Sequence, residues 1–322
     1  MRLTRPQMAF ALVFVVLLSR IVLRRGSLFS GNRASTRTYT LARARAGFAT
    51  RLMQHISAMK PVPSPPHGLF TIIRYHSAVG TLPAYVTPDP GDGRKHPAIL
   101  WITGGDCNTI DEGSWKHGPP ENDQSARAFH EHGIVTMFPS LRGGNDNPGY
   151  QEGFYGEVND VLAARSALAA LKYVDPSRVY LGGHSTGGTL ALLTAEYAPA
   201  FRAVFAFGPV DNVARYGGAR LPFDYTKTAE LALRAPERWL RDIQQPTYVF
   251  EGTQSPGNIS SLMHMAGRTF NSHVHFYPVK RATHFSVLAP GTQLIASKIV
   301  EDTGPAPTLS FSPPELDSLV PQ

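Results

Sequence analysis

A hydroxyl becomes a useful nucleophile only when a base can take its proton and the backbone holds it clear of its neighbours. The stretch Leu181-Gly182-Gly183-His184-Ser185-Thr186-Gly187-Gly188 has the composition for this. Leu181 closes an apolar run, glycines 183 and 187 allow close backbone approach, and an Ala- and Leu-rich stretch continues to Tyr197. Strand, sharp turn and helix in that order put Ser185 at the apex of a nucleophile elbow. The amide of Thr186 then sits at a helix N-terminus, where the dipole favours an oxyanion. The chemistry open to such a set is acyl transfer through a covalent serine intermediate, which calls for no metal and no organic cofactor. Adjacent side chains on such a turn point apart, so His184 is expected to shape the elbow rather than act as its base.

In sites of this kind the order along the chain is serine, acid, histidine, with the histidine in a loop after the last strand. His284 stands in that place, after the apolar run Val274 to Tyr277 and before a final helical pattern. His273 and His275 alternate within the run and His264 falls in a helical pattern, so those three read as packed or solvated rings. A second oxyanion amide is expected from Thr103-Gly104-Gly105-Asp106, after the run Ala98 to Ile102, near Gly105 or Asp106. Cys107 beside it reads as structural, and one cysteine permits neither an internal disulfide nor a thiolate metal site.

The elements that must position these groups recur along the chain. Apolar runs rich in β-branched and aromatic residues lie at 98–102, 134–138, 178–181, 203–207, 247–250 and 274–277. Between them Val158, Val161, Leu162, Leu168 and Leu171 space one helical face, and 185–197 forms a second helix. Such alternation predicts a mostly parallel central sheet with helices on both faces, the α/β class of the α/β-hydrolase fold. Leu69 to Tyr75 and Thr81 to Val86 have no helix between them and predict an antiparallel hairpin at the sheet edge.

Charge is distributed unevenly over the 322 residues, whose net charge is +7. Residues 1–60 hold eleven Lys or Arg and no acid, and removing those eleven from 31 leaves 20 basic against 24 acidic residues. The body is mildly acidic, which argues against a nucleic-acid face. Residues 1–25 form a signal- or anchor-like segment, with apolar residues from Met8 to Leu18 and, across Arg20, on to Leu23. It predicts a membrane-anchored or exported protein with membrane association through residues 8–23; the Arg-, Ser- and Ala-rich stretch behind it equally suits organellar import, and a cytoplasmic chain is the remaining alternative. Residues 26–66 read as a basic, then Pro-rich, linker; 67–300 as the catalytic domain; and 301–322, with five prolines after residue 302, as a disordered tail.

Taken together these residues resemble the catalytic domain of the prolyl oligopeptidase family of serine peptidases over about residues 67–300. Thr103-Gly104-Gly105 stands where that family has His-Gly-Gly, and Ser140-Leu141-Arg142-Gly143-Gly144-Asn145 resembles its Arg-Gly-rich loop. Gly182 to Gly188 looks like its elbow, Gly208-Pro209-Val210-Asp211 is similar to the segment after its next strand, and Thr283-His284-Phe285 to its histidine loop. The resemblance implies a serine peptidase. The family's large substrate-filtering propeller has no counterpart in these residues, so a carboxylesterase or a small-amide or lipid hydrolase is the alternative, with a small peptide or ester as the partner. The second departure concerns the acid. The family places an Asp a few residues after the strand equivalent to 247–250, where this chain reads Glu251-Gly252-Thr253-Gln254-Ser255. Asp211, with Glu251 as the alternative, is left to orient the base, a dyad working without an acid is conceivable, and the missing Asp at 255 leaves a catalytically silent binding module as a further alternative.

Overall fold

The computed structural model describes residues 40–218 and 221–320. Eight strands form one sheet: β1 Thr71–Ser77, β2 Gly80–Val86, β3 His96–Ile102, β4 Val135–Pro139, β5 Val174–His184, β6 Val204–Phe207, β7 Thr247–Gly252 and β8 Val274–Val279. Their order is β1-β2-β4-β3-β5-β6-β7-β8. From β4 to β8 every pairing is parallel, while β1 and β2 form the antiparallel edge hairpin expected from the sequence. Eight α-helices accompany them among the described residues: α1 Leu41–Arg45, α2 Ala128–Glu131, α3 Glu157–Ala169, α4 Thr186–Tyr197, α5 Thr228–Ala232, α6 Ile259–Ala266, α7 Leu288–Glu301 and α8 Pro313–Asp317.

Because side chains alternate across a strand, the sheet sorts its residues onto two faces. Ala98, Leu100, Ile102, Val179, Leu181 and Val249 join an aliphatic cluster with residues of α3 and α4, including Val161, Leu168 and Leu190. Their neighbours Ile99, Trp101, Tyr180, Phe205, Tyr248 and Phe250 join an aromatic cluster with α2 and α7. Both faces are covered, which is why the central strands read as continuous apolar runs rather than alternating ones. At the centre Trp101 pairs with Gly182 of β5, where a Cβ would lie 2.6 Å from the indole.

Two expectations about the chain ends need correction. Residues 40–66 are not a linker: Thr40 onward belongs to the same compact unit as the rest. Leu41 is fully buried, its amide bonds Asp242 Oδ2 at 2.7 Å, and the buried Arg45 donates to the carbonyls of Phe154 (3.0 Å), Tyr155 (2.8 Å) and Leu233 (2.7 Å). Beyond it the chain runs as a strap, with Ala58 N bonded to Gly143 O (2.9 Å), Gln151 N to Ile56 O (3.0 Å) and Lys60 N to Asn145 O (3.2 Å). Basic and proline-rich composition suggested solvation, but a guanidinium can be buried where carbonyls meet its donors, and proline suits an extended strap bonded through its neighbours.

The C-terminal stretch is likewise ordered. Arg202 holds the carbonyls of Gly304 and Ala306, Tyr248 donates to Leu309 O at 2.6 Å, and Phe311 and Leu316 are buried in the aromatic cluster. Ser312 and Glu315 form a capping box that starts α8 immediately before its two prolines. The anchor-like segment at 1–25 lies outside the described residues; among those described no helix is long and apolar enough to cross a membrane.

Candidate active site

The elbow is built as the glycines require. β5 ends at His184, α4 begins at Thr186, and Ser185 between them has φ 54° and ψ −114°. A side chain held at such a φ costs on the order of 1–3 kcal/mol, and the surroundings must impose it. They do so through Ser185 N, bonded to Phe207 O at 2.8 Å, and through close backbone contacts. A Cβ at position 183 would sit 2.5 Å from Gly187 O, and one at position 187 would sit 2.2 Å from Ile102 O. Only glycine lets β3, β5 and the start of α4 meet.

The loop after β3 lies against this turn. Thr186 Oγ1 donates to Gly105 O at 2.9 Å, and Gly105 has φ +75°, in the left-handed region that favours glycine. Gly104 is pressed so close that a Cβ would fall 2.8 Å from His184 Nδ1 and 3.3 Å from Ser185 Cβ. The peptide is planar and trans, so with the Gly105 carbonyl turned toward Thr186 the amide of Asp106 projects the opposite way. The Asp106 carboxylate accepts from Asn108 N (3.2 Å), Thr109 Oγ1 (2.7 Å) and Gln151 Nε2 (3.1 Å). Cys107 is buried, and burial pushes its thiol up, so it stays a protonated thiol.

His284 is buried in the loop after β8, with its amide bonded to Pro256 O at 3.1 Å. Its Nδ1 lies 3.0 Å from Glu251 Oε2 at the end of β7. Glu251 is fully buried, and its other oxygen, Oε1, has no partner among the described residues. Gly208, at φ +57°, makes room for this pair: a Cβ there would lie 2.3 Å from His284 Cε1 and 2.5 Å from Glu251 Oε2. The preference for Asp211 is thereby corrected. Asp211 is buried after β6, but its carboxylate meets Arg215, Ser261 Oγ (3.2 Å) and His264 Nδ1 (2.6 Å), not His284. Asp211, Glu237 and His264 come near enough together to suggest a cation site, yet both Asp211 oxygens already accept hydrogen bonds from Arg215 and its other neighbours.

Ser185 and His284 Nε2 are not hydrogen-bonded among the described residues. In a free enzyme that bond is often long and closes with substrate. The Ser185 hydroxyl instead lies beside the hydroxyl of Tyr216, which is 2.8 Å from Thr189 Oγ1 and which burial pushes up, keeping it neutral. Two hollows open at Ser185. One, of about 1190 Å³, is lined by Lys60, Pro61, Asp111, Lys116, Gln124 and Phe285. The other, of about 530 Å³, is mostly apolar, with Ile56, Cys107, Phe154, Tyr216, Leu221 and Pro222 in its wall. The strap residues and Tyr216 carried no motif, so sequence alone did not single them out.

Comparison with known proteins points to the same fold class. Residues 121–240, which include Ser185 and Asp211 but neither Glu251 nor His284, match the prolyl oligopeptidase family. S-formylglutathione hydrolase of Mus musculus is 28% identical over 155 residues, 40% of this chain and 51% of that protein, so the chain spans about half of that relative. Among solved structures, a puromycin-hydrolysing peptidase of Mycobacterium tuberculosis is similar with a TM-score of 0.58 at 17% identity, over 76% of this chain and 42% of that one. An esterase of Pyrobaculum calidifontis is similar with a TM-score of 0.52 at 20% identity, over 74% and 84%. The fold is that of the α/β hydrolases, and within it residues 121–240 resemble the prolyl oligopeptidase family.

Proposed function

We propose that the protein is a serine peptidase working through an acyl-enzyme, with Ser185 as nucleophile, His284 as base and Glu251 as the acid that orients it. The observation that carries this reading is the buried contact of Glu251 Oε2 with His284 Nδ1 at 3.0 Å, in the same site as the strained Ser185. Nδ1 is held as the proton-bearing nitrogen by the carboxylate, leaving the Nε2 lone pair to take the Ser185 proton as Oγ attacks the substrate carbonyl. The amides of Thr186 and Gly105 receive the oxyanion. His284 then returns the proton to the leaving amine, the C–N bond breaks, and water, deprotonated by the same nitrogen, releases the acyl group and restores Ser185.

The smaller hollow beside Thr186 and Tyr216 suits a neutral side chain or acyl group, and the wider one beside Phe285, next in sequence to the base, suits the leaving part. A volume above that of common small-ligand sites favours a peptide over a compact ester. The similarity to S-formylglutathione hydrolase supports the second reading, an esterase or thioesterase using the same residues. Fluorophosphonate labelling is the first test. Labelling of the wild type that disappears in Ser185→Ala is expected; no labelling, or equal labelling of both, would leave a silent binding module. Turnover of aminoacyl and dipeptidyl anilides above that of short acyl esters then selects peptidase, and the reverse order selects esterase.

A further inference from the structure

His184 lies where three loops meet. Its ring is buried, with its centroid 4.5 Å from that of His284 and 5.6 Å from that of Phe285. Nε2 is 3.0 Å from the carbonyl oxygen of His284, and Nδ1 is 3.0 Å from the carboxamide of Gln124, which lines the wide hollow. On its third side stands Gly104, which has no room for a Cβ against Nδ1. One ring therefore touches the base loop, the oxyanion loop and the cleft wall.

The protonation of that ring follows from its neighbours. Burial, with His284 beside it, lowers the imidazole to about 3, so it is neutral at pH 7 and carries one proton. Both atoms facing the ring nitrogens, His284 O and Gln124 Oε1, can only accept, so the single proton serves one of them; on Nε2 it is donated to His284 O. Gln124 presents its carboxamide oxygen Oε1 to Nδ1 while its nitrogen donates to Asn122 Oδ1 at 2.6 Å, so Nδ1 gains a donor only when the carboxamides of Gln124 and Asn122 both turn over.

We infer that His184 is a positioning residue: by donating to the carbonyl of His284 and bracing Gly104, it holds base and oxyanion loop in register, and through Gln124 it ties both to the substrate cleft. The inference rests on the proposed roles of Ser185 and His284. Its test compares His184→Phe, which keeps the ring volume but neither hydrogen bond, with His184→Gln, whose amide can reach the carbonyl of His284. Rates are measured on p-nitrophenyl acetate from pH 5 to 9, with Tm recorded for each variant. In His184→Phe kcat should fall about 10²-fold, the scale of a misplaced catalytic group, with KM within about two-fold. The acidic limb of its kcat/KM profile should shift by about half a unit or more. His184→Gln should recover most of the rate and the wild-type profile, and Gln124→Ala should show a smaller fall in kcat with the same shift. Wild-type kcat and profile in His184→Phe would overturn the inference. So would equal losses in the Phe and Gln variants that follow Tm. Absence of turnover and of fluorophosphonate labelling in the wild type would instead strike the proposed function.

Discussion

At the scale of single residues the site turns on which carboxylate meets His284. Glu251 reaches it from a strand end because its side chain is one methylene longer than aspartate, which fits a position nearer the sheet than the family's loop Asp. Glu251→Gln keeps the volume and removes the charge that stabilises the imidazolium. Its kcat on an activated ester should fall by roughly 10⁴, as when the acid of a serine triad loses its charge, while fluorophosphonate labelling slows without vanishing. Asp211→Asn should behave in the opposite way. It leaves the contact between Glu251 and His284 intact, so kcat should stay within about three-fold of wild type. It weakens charged hydrogen bonds to Arg215 and His264, and urea denaturation should show a loss of about 2 kcal/mol. Equal kinetic losses in the two variants would return Asp211 to the site.

At the scale of elements, the turns that present these residues depend on backbone clearance. Gly208→Ala puts a methyl group into the ring of His284 at a positive φ, so the base must move. We expect kcat to drop at least 10²-fold with a modest change in Tm, because the damage is confined to the loop after β6. Crystallography of that variant would show the displaced imidazole; a ring in its original place with full activity would refute the argument. The ordered C-terminal stretch depends on a different contact. Phe311 packs edge-on against Tyr248, Phe250 and Tyr277, with centroids 4.9, 5.2 and 5.8 Å away. Phe311→Ala should cost about 3–4 kcal/mol in urea denaturation and expose residues 303–320 to limited proteolysis, whereas unchanged protease resistance would show that α8 holds without it.

At the scale of the whole molecule, acid should loosen the C-terminal stretch before the rest. Burial alone would raise the carboxyl of Asp302, but hydrogen bonds from Arg202, Tyr180 and the Thr308 amide outweigh it and leave it at about 2. Lys298, then the backbone and hydroxyl of Ser312, hold Glu315 at about 2 as well. Both values lie below those of the unfolded chain. Their stabilisation is therefore complete above about pH 4.5 and is lost as pH falls toward 2. Hydrogen exchange at residues 303–320 should accelerate across that window, and Asp302→Asn should flatten the response; exchange that is uniform over the chain would contradict it. The same scale separates what was legible in the sequence from what was not. Glycine spacing around Ser185, the alternation of apolar runs with helical patterns, and the place of His284 after the last strand are local signals, and they determined the fold class, the turn at Ser185 and the loop that carries His284. Glu251 with His284, the strap of residues 56–63 in the cleft wall, the place of Tyr216 and the packing of Phe311 are pairings across 27 to 95 positions. No local periodicity encodes them. Only the folded sheet decided them, because a buried carboxylate or arginine is tolerated where distant groups satisfy it, and those groups meet only in the tertiary structure.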